Sequence, residues 1–174
     1  MKSNELLLDA FVRIRETVAA TLDGVDDDAL VRRPSGKGNS IAWLIWHLSR
    51  VEDAQVASAA GLKQVWTSQG FAGRFGLPLP ERDTGYGHST GQVDSVKAPP
   101  ELLLEYYDAV HRQTAEFLGT LGDVDFDRIV DTRWDPPVTL GVRLVSTIAD
   151  CLQHVGQAAY AKGLNSAPAR WPAR

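Results

Sequence analysis

Residues 141–164 read GVRLVSTIADCLQHVGQAAYAKGL. Thr139 stands just ahead as an N-cap, Gly163 marks an end, and between them apolar residues recur at helical spacing, so the stretch predicts one long amphipathic helix. Val145, Ile148, Leu152 and Val155 trace its packing face. Asp150 and His154 sit one turn apart on a different strip, about 40° from each other around the axis, so the two side chains can touch or grip the same third group. From spacing alone the plainer account is a solvated strip, shared with Arg143 and Gln157, on which an acid meets an imidazole.

Three more segments of the same kind precede it. Leu7, Phe11, Ile14, Val18 and Leu22 alternate steps of four and three from Ser3 to about Leu22, with Gly24 as the stop. Ser40 can cap IAWLIWHLSRVEDAQVASAA (41–60), whose Ile41, Leu44, Ile45, Leu48 and Val51 form a broad apolar face with His47 at its edge. Pro99 and Pro100 open a third long pattern through Leu103, Tyr107, Val110, Phe117 and Leu121, with Gly122 as the expected stop. DDDALVRRP (26–34) reads as a short helical turn, and RIVDTRW (128–134) is the best strand candidate, without an evident partner. Residues 62 to about 98 show no sustained period. Four long helices and no convincing strand pair predict an all-α four-helix bundle, a single domain over 1–174. Its long connection between helices two and three is long enough to cross the bundle rather than reverse direction.

The bulk properties narrow the function classes. A formal net charge of −4 provides no basic surface for nucleic acid. No apolar run reaches membrane-spanning length, and the N-terminus enters an acidic amphipathic pattern directly, so a cytoplasmic protein without a membrane partner is expected. The single cysteine, Cys151, leaves no thiol pair for a zinc ribbon or a redox motif, so any metal falls to histidine and carboxylate.

A lone histidine such as His47 is more often a hydrogen-bonded boundary residue than a ligand. Helix bundles, however, assemble metal sites from a single ligand on one helix and an i, i+3 or i+4 pair on another. His47 with Asp150 and His154 fits that plan. Such a set leaves coordination positions open for water or a thiol, whose pKa a divalent metal lowers.

RRPSGKGNSIAWLIWHLSRVED (32–53) and DCLQHVGQAAYAKGL (150–164) together resemble the two signature regions of the DinB/YfiT-like superfamily, particularly its branch similar to thiol-dependent S-transferases. The resemblance covers nearly the whole chain. It implies a four-helix bundle holding a divalent metal on His47, Asp150 and His154, with Asp150 standing where glutamate or histidine is more usual. Zinc is the expected ion, with nickel, iron or manganese as alternatives. The implied function is a metal-dependent transferase that passes a low-molecular-weight thiol, of the mycothiol or bacillithiol kind, to an electrophile. A non-enzymatic metal- or ligand-binding bundle connected with stress, and a hydrolase using metal hydroxide at the same site, are the alternatives.

Other residues are weighed against this set. His88, in GYGHS, is the rival ligand, with an exposed loop histidine the preferred reading. Tyr86 could line a substrate entrance or pack the loop against the bundle. Arg50 could meet an anionic substrate and Glu52 could act as an outer base, although a solvated face is the plainer account of both. His111 is expected as a buried, hydrogen-bonded imidazole, Cys151 as a small packing residue, and Trp43 and Trp46 as core or pocket wall. Five tryptophans and the tail NSAPARWPAR (165–174) suggest a homodimer.

Overall fold

The computed structural model describes residues 1–166. Among them, α1 (Ser3–Leu22), α3 (Ile41–Ala60), α7 (Pro100–Gly119) and α8 (Leu140–Ser166) are long. The elements α2 (Asp27–Val31), α4 (Val65–Ser68), α5 (Phe71–Phe75) and α6 (Thr90–Ser95) are single turns or little more. Two short strands, β1 (Ile129–Asp131) and β2 (Val138–Thr139), and two 3-10 turns at Pro34–Gly36 and Asp123–Asp127 complete the described elements.

Local chemistry sets the ends. Ser40 Oγ accepts from the Trp43 N–H at 3.2 Å to start α3, and Gly61, in the left-handed region at φ 68°, ends it. Thr139 Oγ1 accepts from the Val142 N–H at 3.3 Å at the head of α8. The third long helix stops at Gly119, before the expected Gly122, and α8 runs on to Ser166.

The four long helices form a square in which α1 and α3 each pack on α7 and α8. Side-chain pairs give the directions. Asn4 reaches the Leu118 carbonyl and Arg15 reaches Asp108, so α1 and α7 are antiparallel. Lys162 reaches the Ala20 and Asp23 carbonyls, so α1 and α8 run together. Arg143 meets Gln55 while Cys151 lies at Leu48, so α3 and α8 are antiparallel. Consequently α3 and α7 are parallel, and the chain between them has to travel the length of the bundle, as a crossover does.

That connection carries α4, α5 and α6, which the sequence pattern did not reveal, because four to six residues are too few to show a helical period. RIVDTRW does find a partner, since β1 pairs antiparallel with β2. One contiguous apolar core joins all four long helices, with Phe11, Ile14, Trp46, Leu48, Leu103 and Leu144 among its members. The packing face of α8 differs from the expected one: Leu144, Ile148, Cys151, Val155 and Ala158 are buried, whereas Val145 is 58% and Leu152 46% exposed. No described helix is long and apolar enough to cross a membrane.

Candidate metal centre

The antiparallel contact of α3 with α8 brings His47 against Asp150 and His154. One ligand atom from each lies within 4.8 Å of the other two. The His47 and His154 rings meet edge to face with centroids 4.6 Å apart, and His154 Nε2 lies 3.6 Å from Asp150 Oδ1. The solvated strip suggested by spacing is therefore one wall of a three-residue cluster, and the shorter aspartate reaches far enough to join it.

Each imidazole has its outer nitrogen occupied. His47 Nδ1 hydrogen-bonds the Thr84 carbonyl oxygen, and His154 Nδ1 faces Gln157 Oε1 at 3.3 Å. An acceptor on Nδ1 fixes the proton there and leaves Nε2 with its lone pair free, the arrangement that orients metal-binding histidines. Asp150 Oδ2 is buried with no hydrogen-bond partner among the described residues. A buried carboxylate oxygen is costly to leave unmatched. Two imidazoles and such a carboxylate oxygen fit a divalent cation.

The two rings differ in their electrostatics. Burial pushes the pKa of His47 down, which keeps its ring neutral. The hydrogen bond and charge of Asp150 push that of His154 up, so a proton there competes with a metal for the same lone pair.

A strap from the long connection holds His47 in place. Trp43 stacks on the ring at 4.6 Å, nearly parallel at 14°. Thr84 supplies the carbonyl, and Gly85, at φ 97°, lets the backbone come this close: a Cβ there would lie 2.6 Å from His47 Nδ1 and 3.1 Å from Trp43. Asp83 accepts from the Gly85 N–H at 3.0 Å and pairs with His88 Nε2 at 2.9 Å. His88 Nδ1 accepts from the Trp43 indole at 3.0 Å. With both nitrogens engaged and its side chain buried, His88 is neither a ligand nor an exposed loop histidine but a pin for the strap.

The family model described as DinB superfamily matches residues 10–158. The chain belongs to the DinB superfamily. A solved structure titled as the conserved protein of locus from Enterococcus faecalis is 31% identical, with a TM-score of 0.87, covering 94% of this chain and 97% of that one. No curated protein matches this DinB superfamily chain.

Several expected surface roles turn out to be interior ones. Arg50 is fully buried rather than on a solvated face: its guanidinium donates to the Asp83 carbonyl at 3.1 Å, to Gln64 Oε1 at 2.9 Å and to the Tyr106 hydroxyl at 3.3 Å. It steadies the strap from beneath. Glu52 is also fully buried, accepting from Tyr107 and Thr114 hydroxyls at 2.8 Å each, and burial raises its pKa to about 7.

Tyr86 projects into solvent at 94% exposure, so it does not pack the loop. His111 is half-buried, and its Nδ1 has no hydrogen-bond partner among the described residues, contrary to the expected bonded imidazole. Cys151 is a packing residue, its thiol pKa raised by burial, and Trp43 and Trp46 are both core. Sequence reading missed Asp83, Thr84 and Gly85, and it placed Gln157 on the strip of Asp150 and His154 without giving it a role at the centre. Gln157 follows His154 by one turn, a visible hint, but the Thr84 contact uses a main-chain oxygen and has no residue signature.

Proposed function

We propose that the protein is a divalent-metal-dependent transferase that activates a low-molecular-weight thiol and passes it to an electrophile. The observation that carries this reading is the set of three ligand atoms within 4.8 Å on two facing helices. Three protein ligands with a position to spare is the pattern of a catalytic divalent site, whereas a structural site closes with four. His47, Asp150 and His154 would hold the ion, which would supply thiolate near neutral pH by lowering the thiol pKa.

The chain's own groups prepare the centre. The Thr84 carbonyl keeps the His47 proton on Nδ1, and Gln157 does the same for His154. Trp43 covers one face of His47 and keeps water from it. The Asp150 side chain remains 38% accessible, leaving an approach for thiol and electrophile on that side. Membership of the DinB superfamily supports the metal, and the resemblance of WHLSRVE and HVGQ to its thiol-dependent branch supports the thiol.

The test uses cobalt-substituted protein titrated with mycothiol- and bacillithiol-type thiols. A sulfur-to-cobalt charge-transfer band should appear, and the same thiol should be consumed with an electrophile. His154→Ala should lose the metal, the band and the turnover while retaining its helical circular dichroism. If thiols leave the spectrum unchanged and an ester or amide is hydrolysed without them, hydrolysis at this site replaces transfer. Metal binding with neither reaction makes the protein a non-enzymatic metal-binding bundle.

A further inference from the structure

The face between α3 and α8 continues past the three candidate ligands. On α3, His47 is followed at helical steps by Val51, Gln55 and Ser58, and on α8 Asp150 is preceded by Thr147 and Arg143. Because the helices are antiparallel, Arg143 lies beside Gln55, two turns of α8 and about 10 Å from Asp150. Small residues separate the two ends. Val51 and Ala54 are half-buried, and the Thr147 hydroxyl is taken up by the Arg143 carbonyl at 2.9 Å.

At the far end lies a cavity of about 270 Å³, walled by Gln55 and Ser58 of α3, by Arg143 of α8, and by Asp131, Thr132 and Arg133 at the end of β1 and the turn after it. Its charges do not balance. Asp131 is set against two arginines, and both of its oxygens are already engaged: Oδ1 accepts from the main-chain N–H and Nε of Arg133 at 3.0 Å each, and Oδ2 from Arg133 and Arg143 at 2.8 Å each. The bonds from Arg133 hold the Asp131 carboxyl well below the usual carboxylate range, so it stays ionised and cancels one arginine only. Arg143 turns its other bonded nitrogen to a neutral group, the Gln55 amide oxygen. A guanidinium carries more N–H donors than these bonds use, and Arg143 Nε and Arg133 Nη1 have no partner among the described residues. An ion pair that merely fastened the turn to the bundle would need one arginine rather than two.

We propose that this cavity is an oxyanion subsite of the groove: it receives a carboxylate carried by the molecule whose reactive atom sits at the metal centre, about 10 Å away. The reacting end of this inference rests on the functional reading above, and the anionic end rests on the arginines alone. Planar guanidinium forks match a carboxylate, and the Ser58 and Thr132 hydroxyls add neutral donors. The cavity is smaller than the roughly 300–1,000 Å³ of a whole-ligand pocket, so it suits one group of a longer molecule. Both arginines can be reached, with 18% of the Arg143 side chain and 84% of the Arg133 side chain exposed. Arg50, sealed inside the bundle, cannot serve an anion; Arg143 can. The groove therefore favours elongated anionic substrates over small neutral ones.

Two measurements on the full, metal-loaded chain test this. In the first, butyrate is titrated into zinc-loaded protein while the arginine Nε–H signals are followed by nuclear magnetic resonance, with butanol as the neutral control. The Arg133 and Arg143 signals should shift saturably with butyrate and stay in place with butanol. Arg133→Ala, a change at an exposed side chain, should weaken the butyrate effect about fivefold with metal binding unchanged, and Arg143→Gln about tenfold. Signals that ignore butyrate, or respond equally in Arg133→Ala, would overturn the subsite. In the second, cobalt-loaded protein is titrated with mercaptoalkanoates of increasing length and with mercaptoalkanols of matching length. The acid should saturate the charge-transfer band at about tenfold lower concentration than its alcohol where the extended chain spans the roughly 10 Å between the ends, and Arg143→Gln should erase the difference. Bands that form equally with acid and alcohol at every length would separate the cavity from the metal centre and defeat the proposal. If no thiol gives a band while butyrate still moves the two arginine signals, the oxyanion subsite stands and the thiol reading falls.

Discussion

At the residue scale, Gly85 ties the long connection to His47. Its positive φ and the missing Cβ together let the Thr84 carbonyl reach His47 Nδ1, so Gly85→Ala has to displace either the strap or the ring. Overpacking of this kind costs about 1–3 kcal/mol of stability, and losing the group that orients a metal-binding histidine weakens metal affinity about 10–100-fold. Denaturant unfolding and metal titration of Gly85→Ala measure the two effects separately. Unchanged metal affinity in a destabilised variant would show that the carbonyl does not orient the ring for binding. The grouping of His47 with Asp150 and His154 was suggested beforehand by the ligand plan of helix bundles and by the family resemblance, whereas helical spacing alone favoured a solvated strip. Gly85 was not suggested, because its contribution is an absent atom beside a residue thirty-eight positions earlier.

At the element scale, α3 shows how a helix can bury charge. Arg50, Glu52 and Asp53 all lie inside, and Asp53 accepts from the Val65 and Trp66 N–H groups at 2.8 Å each and from the Tyr106 hydroxyl at 2.9 Å. Sequence pattern placed Arg50 and Glu52 on a solvated face because charged residues are rarely fully buried. The partners that permit it come from α7 and the connection, which periodicity cannot see. The same limit misplaced Val145 and Leu152: an apolar stripe on the exposed side of a helix can follow the same spacing as one that faces the core. Glu52 yields a pH prediction. Its folded pKa, about 7, stands above the ordinary 4.5, so folding takes up a proton between those values. Its contribution is therefore fully present below pH 4.5 and is lost as pH rises through 7. Glu52→Gln keeps the shape without the charge, so its stability relative to the parent should rise across that window by on the order of 3 kcal/mol. Urea unfolding of both proteins at intervals from pH 4.5 to 8 follows the difference, and a flat difference would show that burial does not hold the proton on Glu52.

At the scale of the whole molecule, the bundle and its crossover were readable because four long amphipathic periods survive any detail of loop structure, and a connection of that length between helices has few other uses. The parallel course of α3 and α7 is the physical content of that crossover, and it is also what carries the strap back across His47. The candidate centre therefore joins three parts of the chain that are distant in sequence: α3, the connection and α8. An ion that binds only this folded arrangement stabilises it by mass action, by about 2.7 kcal/mol when free metal is a hundred times its dissociation constant. For a chain of this size each kcal/mol moves the midpoint by about 2–4 °C, so metal-saturated protein should melt about 5–10 °C above the chelator-treated form. The shift should grow with the logarithm of free zinc concentration. His154→Ala should melt near the chelated parent and show no response to zinc, because a ligand has gone while the apolar core of α8 remains. Differential scanning calorimetry across a zinc series decides it: a parent indifferent to zinc would remove the metal from this centre, whereas an equal response in His154→Ala would place the binding site elsewhere on the molecule.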